Sequence, residues 1–566
     1  MNTKYSHINF LWTQLIVEEL IRNRINQFFI SPGSRSTPLT LAVSLTKSAK
    51  STIHFDERGA GFAALGYGQA TGKPAVLVCT SGTAAANYFP AVIEASMSRI
   101  PMIILTADRP PELRDTGANQ TIDQVKLYGG YTRWFQDIPC PSTEITPEYL
   151  LTTIDQAAYQ AQGNIPGPVH LNCMLREPLT PDDNEVDFGD YLSGISHWIK
   201  SNLPYTKYYK STLLPDLTQI KSLSDKIMKN KRGIIVCGRV ESDAARESII
   251  KFAKTIGYPI FADITSGLKC NNSPNVINHE LLLDNDSITD EIKSNIVLHF
   301  GGVMTSKKLN EWISELKPEN YIHIDSHPFR NDPSHIVTER FQCDVDSFIN
   351  GLLPHIKDCQ PDKKWLDGIV KRYNNNEMKI SEKIDNESLL SEALVSRLVS
   401  RHIDRNSAFF LGNSLSIRMM DKYLDKMEPE IPIGFNRGAS GIDGCVATAV
   451  GWSVGLKKSV TLLIGDLTLF HDLNSLAMLK ESDYPITIVV LNNNGGGIFK
   501  YLPIAKQEDV FEKFWLTPHG MTFEKISEQF DIDYYKPSAS DEFLSDYDTA
   551  QNSGRQSLIE VIINSD

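Results

Sequence analysis

Short apolar runs that stop abruptly at glycine or small polar residues recur along this chain. In the first third they are Gln27–Ile30, Ala75–Cys79, Met102–Thr106 and Gly167–Asn172. In the middle they are Gly233–Gly238, Pro259–Asp263, Asn295–Gly301 and Tyr321–Asp325. In the last third they are Ala408–Leu411, Leu462–Thr468, Val489 onward, and Leu558–Ile563. Runs this short, rich in branched residues, predict buried strands. Between them lie segments with helical spacing. Ile8, Leu11, Leu15, Ile16 and Leu20 share one face, as do Leu473, Leu476 and Leu479 within 471–481, and a further helix is expected over 388–403. Strand alternating with helix makes parallel sheets with right-handed crossovers, so the fold class is α/β, with doubly wound parallel sheets.

Two stretches break the pattern. Residues 177–191 are acidic and contain proline, and 355–365 contains Pro361; both read as linkers. They divide the chain into 1–185, 186–360 and 361–566. A length of 566 residues by itself suggests about three or four domains.

Ligands of parallel sheets bind at the carboxyl ends of the strands. The stretch ending in Gly465-Asp466-Leu467-Thr468 and its partner ending in Asn492-Asn493-Asn494-Gly495-Gly496 would share such an edge. A carboxylate and an amide oxygen can hold a hard divalent cation if phosphate and water complete about six oxygens, and the Gly495 carbonyl offers one more. The glycines let a diphosphate approach the backbone. An ordinary buried strand pair with an Asx turn is the other reading of the same residues. In the first third, Ser34/Arg35, Ser81/Thr83 and Arg109/Asn119/Gln120 fall on three successive strand-end loops. Glu57 follows a short strand and opens a small-residue helix, where a plain helix-capping acid is the ordinary expectation. His170, inside an apolar run, reads as a core histidine. Gly66-x-Gly68-x-x-Thr71 imitates a dinucleotide fingerprint but lies within a helix, and the middle third has no phosphate fingerprint. The aromatic-rich 511–519 reads equally as a lid or as a packed segment.

Composition narrows the partners. The net charge of −13 argues against nucleic acid and anionic membranes. No apolar run approaches the roughly 20 residues of a membrane span, and the N-terminus does not resemble a secretory signal. The 8 cysteines lack CxxC spacing, which reads as buried, reduced thiols in a cytoplasmic protein.

Taken together, SPGSRSTPL (31–39), HFDERGAGF (54–62), TSGTAAANYFPAVIEA (80–95), the loop 106–124, GNSLSIR (412–418), NRGASGIDG (436–444), GDLTLFHDLNSLA (465–477) and NNNGGGIF (492–499) resemble the thiamine-diphosphate-dependent enzymes. The pattern departs from the family's metal motif at Leu467, where glycine is usual. The resemblance implies pyrimidine-binding, central and diphosphate-binding domains, and a homodimer or dimer of dimers with sites between subunits. It implies thiamine diphosphate and Mg²⁺ or Mn²⁺ as cofactors, with Glu57 as the cofactor-activating acid. Asp466, Asn493 and Gly495 would bind the metal, and Ser414, Gly441, Ile442, Leu467 and Thr468 the cofactor, Ile442 as a wedge that bends it. Ser34, Arg35, Arg109, Asn119, Gln120, Lys307, Ser414, Arg418 and Arg437 would hold substrate carboxylates, with Ile498 and Phe499 as an apolar wall. Ser34, Arg35 and Gln120 would assist Glu57 in catalysis. The branch matched decarboxylates 2-oxoglutarate and adds the succinyl carbanion 1,4 to isochorismate, in menaquinone biosynthesis. Alternatives are another carboligase or 2-oxoacid decarboxylase of this family, or a non-catalytic anion-binding protein on the same fold; the central domain leaves a flavin open.

Overall fold

The computed structural model describes residues 3–283, 291–425, 427 and 431–563. It contains three six-stranded parallel sheets flanked by helices, and a two-stranded antiparallel ribbon. The chain is therefore α/β throughout, as its strand pattern requires.

The first sheet is built from Gln27–Ile30, Lys50–Ile53, Ala75–Cys79, Met102–Asp108, Trp134–Ile138 and Pro168–Met174. Numbered by position in the chain, their spatial order is 2-1-3-4-6-5. The third sheet (Ala408–Leu411, Ile433–Phe435, Val460–Gly465, Ile486–Asn492, Asp533–Tyr535, Ser557–Ile562) repeats that order. The middle sheet (Ile234–Cys237, Ile260–Ala262, Val276–Ile277, Ile296–Phe300, Asn320–Asp325, Glu339–Gln342) has the order 3-2-1-4-5-6.

The first and third units are fused. Helix Glu57–Thr71 lies along helix Cys445–Leu456, and one hydrophobic core runs through both, from Phe29 and Leu77 to Leu462 and Val490. The backbones touch: a Cβ on Gly66 would stand 2.0 Å from the Thr448 carbonyl oxygen, and one on Gly451 1.8 Å from that of Ala63. Polar ties flank the seam, with Arg58 donating to the His471 carbonyl (2.8 Å) and Asn474 to Asp56 (3.0 Å).

Several local expectations need correction. The helix expected over 471–481 begins instead at Asp466, ends at His471, and continues after Asp472 as a 3₁₀ helix, Leu473–Glu481. Buried Asp472 causes the break, because its carboxylate accepts from the Ala447 N–H (3.0 Å) and the Ser475 hydroxyl (2.7 Å). The stretch 177–191 is no loose linker: Val186–Asp187 pairs with Lys4–Tyr5, and Phe188, Leu192, Ile195 and Trp198 complete the first unit's core. The second linker runs straight into a 23-residue helix, Lys363–Asp385, capped by Asp362. His170 is a core histidine, bonded to Thr106 (2.7 Å) and held down to a pKa of about 3 by burial.

Candidate active site

At the carboxyl ends of the third sheet lies a cavity of about 380 Å³. Its floor is the crossover from Val460–Gly465 to Ile486–Asn492, which brings Asp466 and Asn493 to one edge. Asp466 opens its helix, so its carboxylate meets free N–H groups. Oδ1 accepts from Leu467 N–H (2.6 Å) and Oδ2 from Gly495 N–H (2.9 Å). Asn493 donates through Nδ2 to Glu392 (2.9 Å), while its Oδ1 is buried with no partner. An orphaned buried oxygen costs about 1–3 kcal/mol, so such atoms ask for a ligand. Gly495 has φ +132° and packs so closely that a Cβ would stand 2.0 Å from the Leu516 carbonyl oxygen.

The cavity also gathers Ser414, Leu467, Thr468, Ile442, Arg418, Arg437, Ile498 and Phe499. Gly441 lies just behind, its carbonyl bound by Asn413 Nδ2 (2.6 Å). Ser414, Ser440 and Asn494 all have positive φ although none is glycine. Strained backbone of this kind collects where a loop must present groups precisely. Burial and then the neighbouring Arg418 charge lower the Arg437 pKa. Among the described residues no carboxylate lies within ion-pair distance of either guanidinium, so the hollow holds two positive charges suited to an anion.

The first unit forms a second cluster at its own strand ends. Arg109 donates to Ser81 and to the Gln120 carbonyl (2.9 Å), and Gln120 returns a bond to the Ser81 carbonyl (3.0 Å). Arg35 bonds the Leu175 carbonyl (2.9 Å) and faces Glu177 (3.3 Å), close enough to Arg109 to lower its pKa further after burial. Ser34 and Asn119 are exposed beside them. Asp56, not Glu57, caps the helix, accepting from Arg58 N–H (3.0 Å). Glu57 is thereby left half-exposed, with Asn87 as its hydrogen-bond partner (3.3 Å). Among the described residues, none of the first unit lines the third unit's cavity. Lys307 belongs to neither cluster; it is exposed on the middle unit and pairs with Glu311.

Sequence reasoning missed Glu392, His519 and Glu94. Glu392 follows the capping Ser391 and looks like a routine first-turn acid. His519 Nε2 meets Asp466 Oδ2 at 3.1 Å, and the only hint was a Pro-His-Gly turn. Glu94, from the first unit, grips the loop carrying Ile442 by accepting from the N–H groups of Gly438 and Ala439 (2.6 Å each). Elsewhere, His279, Glu280 and Asp421 cluster where the middle unit meets helix Leu415–Tyr423, but Lys269 is already paired with Asp421 (2.8 Å). Two larger surface hollows, about 750 and 830 Å³, lie along helix Asp243–Ile256 and beside 202–210, lined by mixed charges without convergence.

Comparison with known proteins agrees with this layout. Residues 12–127 match the N-terminal TPP binding domain of thiamine pyrophosphate enzymes, 189–411 the middle domain of thiamine pyrophosphate enzymes, and 419–561 the C-terminal TPP binding domain. The chain belongs to the thiamine pyrophosphate (thiamine diphosphate) enzymes. The chain is 42% identical to a 2-succinyl-5-enolpyruvyl-6-hydroxy-3-cyclohexene-1-carboxylate synthase of Rubrobacter xylanophilus, over 98% of this chain and 95% of that protein. Synthases of the same name from Prosthecochloris aestuarii (41%; 98% and 95%) and Psychromonas ingrahamii (40%; 100% and 94%) are similar throughout. Within the class, it is a member of the 2-succinyl-5-enolpyruvyl-6-hydroxy-3-cyclohexene-1-carboxylate synthase family.

Proposed function

We propose that this enzyme decarboxylates 2-oxoglutarate and adds the four-carbon fragment 1,4 to isochorismate, releasing CO₂, in the menaquinone pathway. The observation that carries this reading is the unpartnered Asn493 Oδ1 beside Asp466, on a cavity that also holds two arginines with no carboxylate at ion-pair distance among the described residues. Asp466, Asn493 and the Gly495 carbonyl suit Mg²⁺ or Mn²⁺, since all three are hard oxygen donors and the ion would draw further oxygens from a diphosphate and water. Ser414, Gly441, Ile442, Leu467 and Thr468 would hold thiamine diphosphate, which when bound would supply a nucleophilic carbon and a cationic ring able to take up the electrons of decarboxylation.

The chain's own groups then divide the work. Glu57 would hydrogen-bond the cofactor's pyrimidine nitrogen and so promote proton removal. Since Glu57 stands off its own chain's cavity, with Ile53 (47%) and Phe55 (63%) exposed beside it, it would serve a cavity on a second copy. We therefore assign a homodimer or dimer of dimers, and place it in the cytoplasm, with pyrimidine-binding, central and diphosphate-binding domains; the expected boundary between 185 and 186 moves beyond Trp198, which packs into the first core, and that between 360 and 361 is kept. Both substrates are dianions, which suits Arg418 and Arg437 on one side and Ser34, Arg35, Arg109, Asn119 and Gln120 on the other; Lys307 would need to approach from the middle unit. Ile498 and Phe499 give the apolar wall.

The test is twofold. Calorimetric titration should give thiamine diphosphate binding that depends on Mg²⁺. CO₂ release should require 2-oxoglutarate together with isochorismate; release from pyruvate in their place would transfer the enzyme to another branch of the family.

A further inference from the structure

Two partly buried groups stand against the metal-binding pair: Glu392, at the cavity wall, and His519. Glu392 Oε1 accepts the Asn493 Nδ2–H at 2.9 Å. A carboxylate can accept but not donate, so this bond fixes which end of the amide faces it. The nitrogen is held at Glu392, and the oxygen is left for the cavity.

On the other side, His519 Nδ1 accepts the Met521 N–H (3.0 Å), which leaves the neutral ring's proton on Nε2. That proton is then donated to Asp466 Oδ2 at 3.1 Å. With Leu467 and Gly495, three fixed donors occupy the carboxylate's roughly four lone-pair directions and leave one for a ligand. The loop bearing His519 is itself pinned, because Asn494 Oδ1 accepts from the N–H groups of His519 (3.0 Å) and Gly520 (2.7 Å).

We infer that Glu392 and His519 are positioning residues: they aim one oxygen each of Asn493 and Asp466 at the divalent cation. This rests on the metal site proposed above. A first-turn acid serving only the helix dipole, or a histidine serving only the packing of 512–521, would show no preference for where its hydrogen-bonding atom lies. Partners of metal ligands elsewhere are worth about 10–100-fold in metal affinity.

The experiment titrates Mn²⁺ into full-length protein with thiamine diphosphate present and reads free Mn²⁺ by electron paramagnetic resonance. Melting temperatures check that each variant is folded. E392Q keeps the acceptor and loses the charge; E392D keeps the charge and withdraws the acceptor. H519Q keeps a donor near the Nε2 position; H519N withdraws it. Glutamine variants should bind Mn²⁺ within about threefold of the parent, and E392D and H519N about tenfold or more weakly. If the withdrawn variants bind as the parent does, or E392Q loses as much as E392D, the positioning role is overturned while the site stands. If the parent takes up no Mn²⁺, the site itself is wrong.

Discussion

The first and third units share one strand order, while the middle unit uses the order common among dinucleotide-binding sheets. Yet the candidate sites belong to the outer pair. The middle sheet's crevice would open between strands Ile234–Cys237 and Ile296–Phe300, where the order reverses. The chain itself closes it there. Gly302 N–H donates to the Arg239 carbonyl (3.0 Å), a Cβ on Gly238 would stand 1.9 Å from the Gly302 carbonyl oxygen, and Arg239 reaches across to the Ser98 carbonyl (2.9 Å). In the third unit the corresponding edge is propped open by glycines and strained serines. Topology offers the same opening in both; the residues at the strand ends decide whether it is a site or a joint between units.

The sharpest way to break this contrast is at Glu57. Glu57→Gln should lower turnover by about 10²–10⁴-fold while leaving cofactor affinity nearly unchanged, as measured by steady-state kinetics beside calorimetry. Near-normal turnover would remove the outer pair's claim to the chemistry. Next, Gly495→Ala imposes a side chain at φ +132° and against the Leu516 carbonyl. It should lose about 1–3 kcal/mol of stability from strain and weaken Mg²⁺-dependent cofactor binding as well. Gly238→Ala tests the middle crevice. It should lose a similar 1–3 kcal/mol by overpacking, read by thermal unfolding, with cofactor affinity unaltered. A cofactor effect there would tie the joint to the site.

The smallest effect concerns His170, which neither region uses. The native pocket holds its pKa at about 3, whereas the unfolded side chain titrates near 6.5. Between these values the unfolded chain binds a proton that the native chain refuses, so acidification destabilises the fold. The contribution is on the order of 2 kcal/mol by pH 5. His170→Gln should therefore gain melting temperature relative to the parent as pH falls from about 6.5, with turnover unaffected at neutral pH.

Much of this was written plainly in the sequence. Strands such as Gln27–Ile30 and Ala408–Leu411 were legible to the residue, because a buried parallel strand is a dense apolar run. The pair proposed for the metal stood out because its loops break those runs with acid, amide and glycine. The helix Lys363–Asp385 was not, since only Ile369 and Ile384 are fully buried along it and its centre is Asn374-Asn375-Asn376. Leu473, Leu476 and Leu479, three apart, are the period of the 3₁₀ turn that formed, although an α-helix was expected. Glu392 and His519 stayed hidden for another reason: each acts on a residue more than 50 positions away. No local pattern encodes such a meeting.

The grip of Glu94 on the loop 438–440 reaches beyond the site. A fragment starting after the second linker would carry every third-unit residue proposed to face the cofactor but not the clasp that shapes the turn bearing Ile442. Expressed alone, such a half would hold its ligands in a slackened hand, and supplying the other half in trans should tighten it. The enzyme's two outer halves are thus less like separate modules than like the two leaves of one hinge, cut from a single piece.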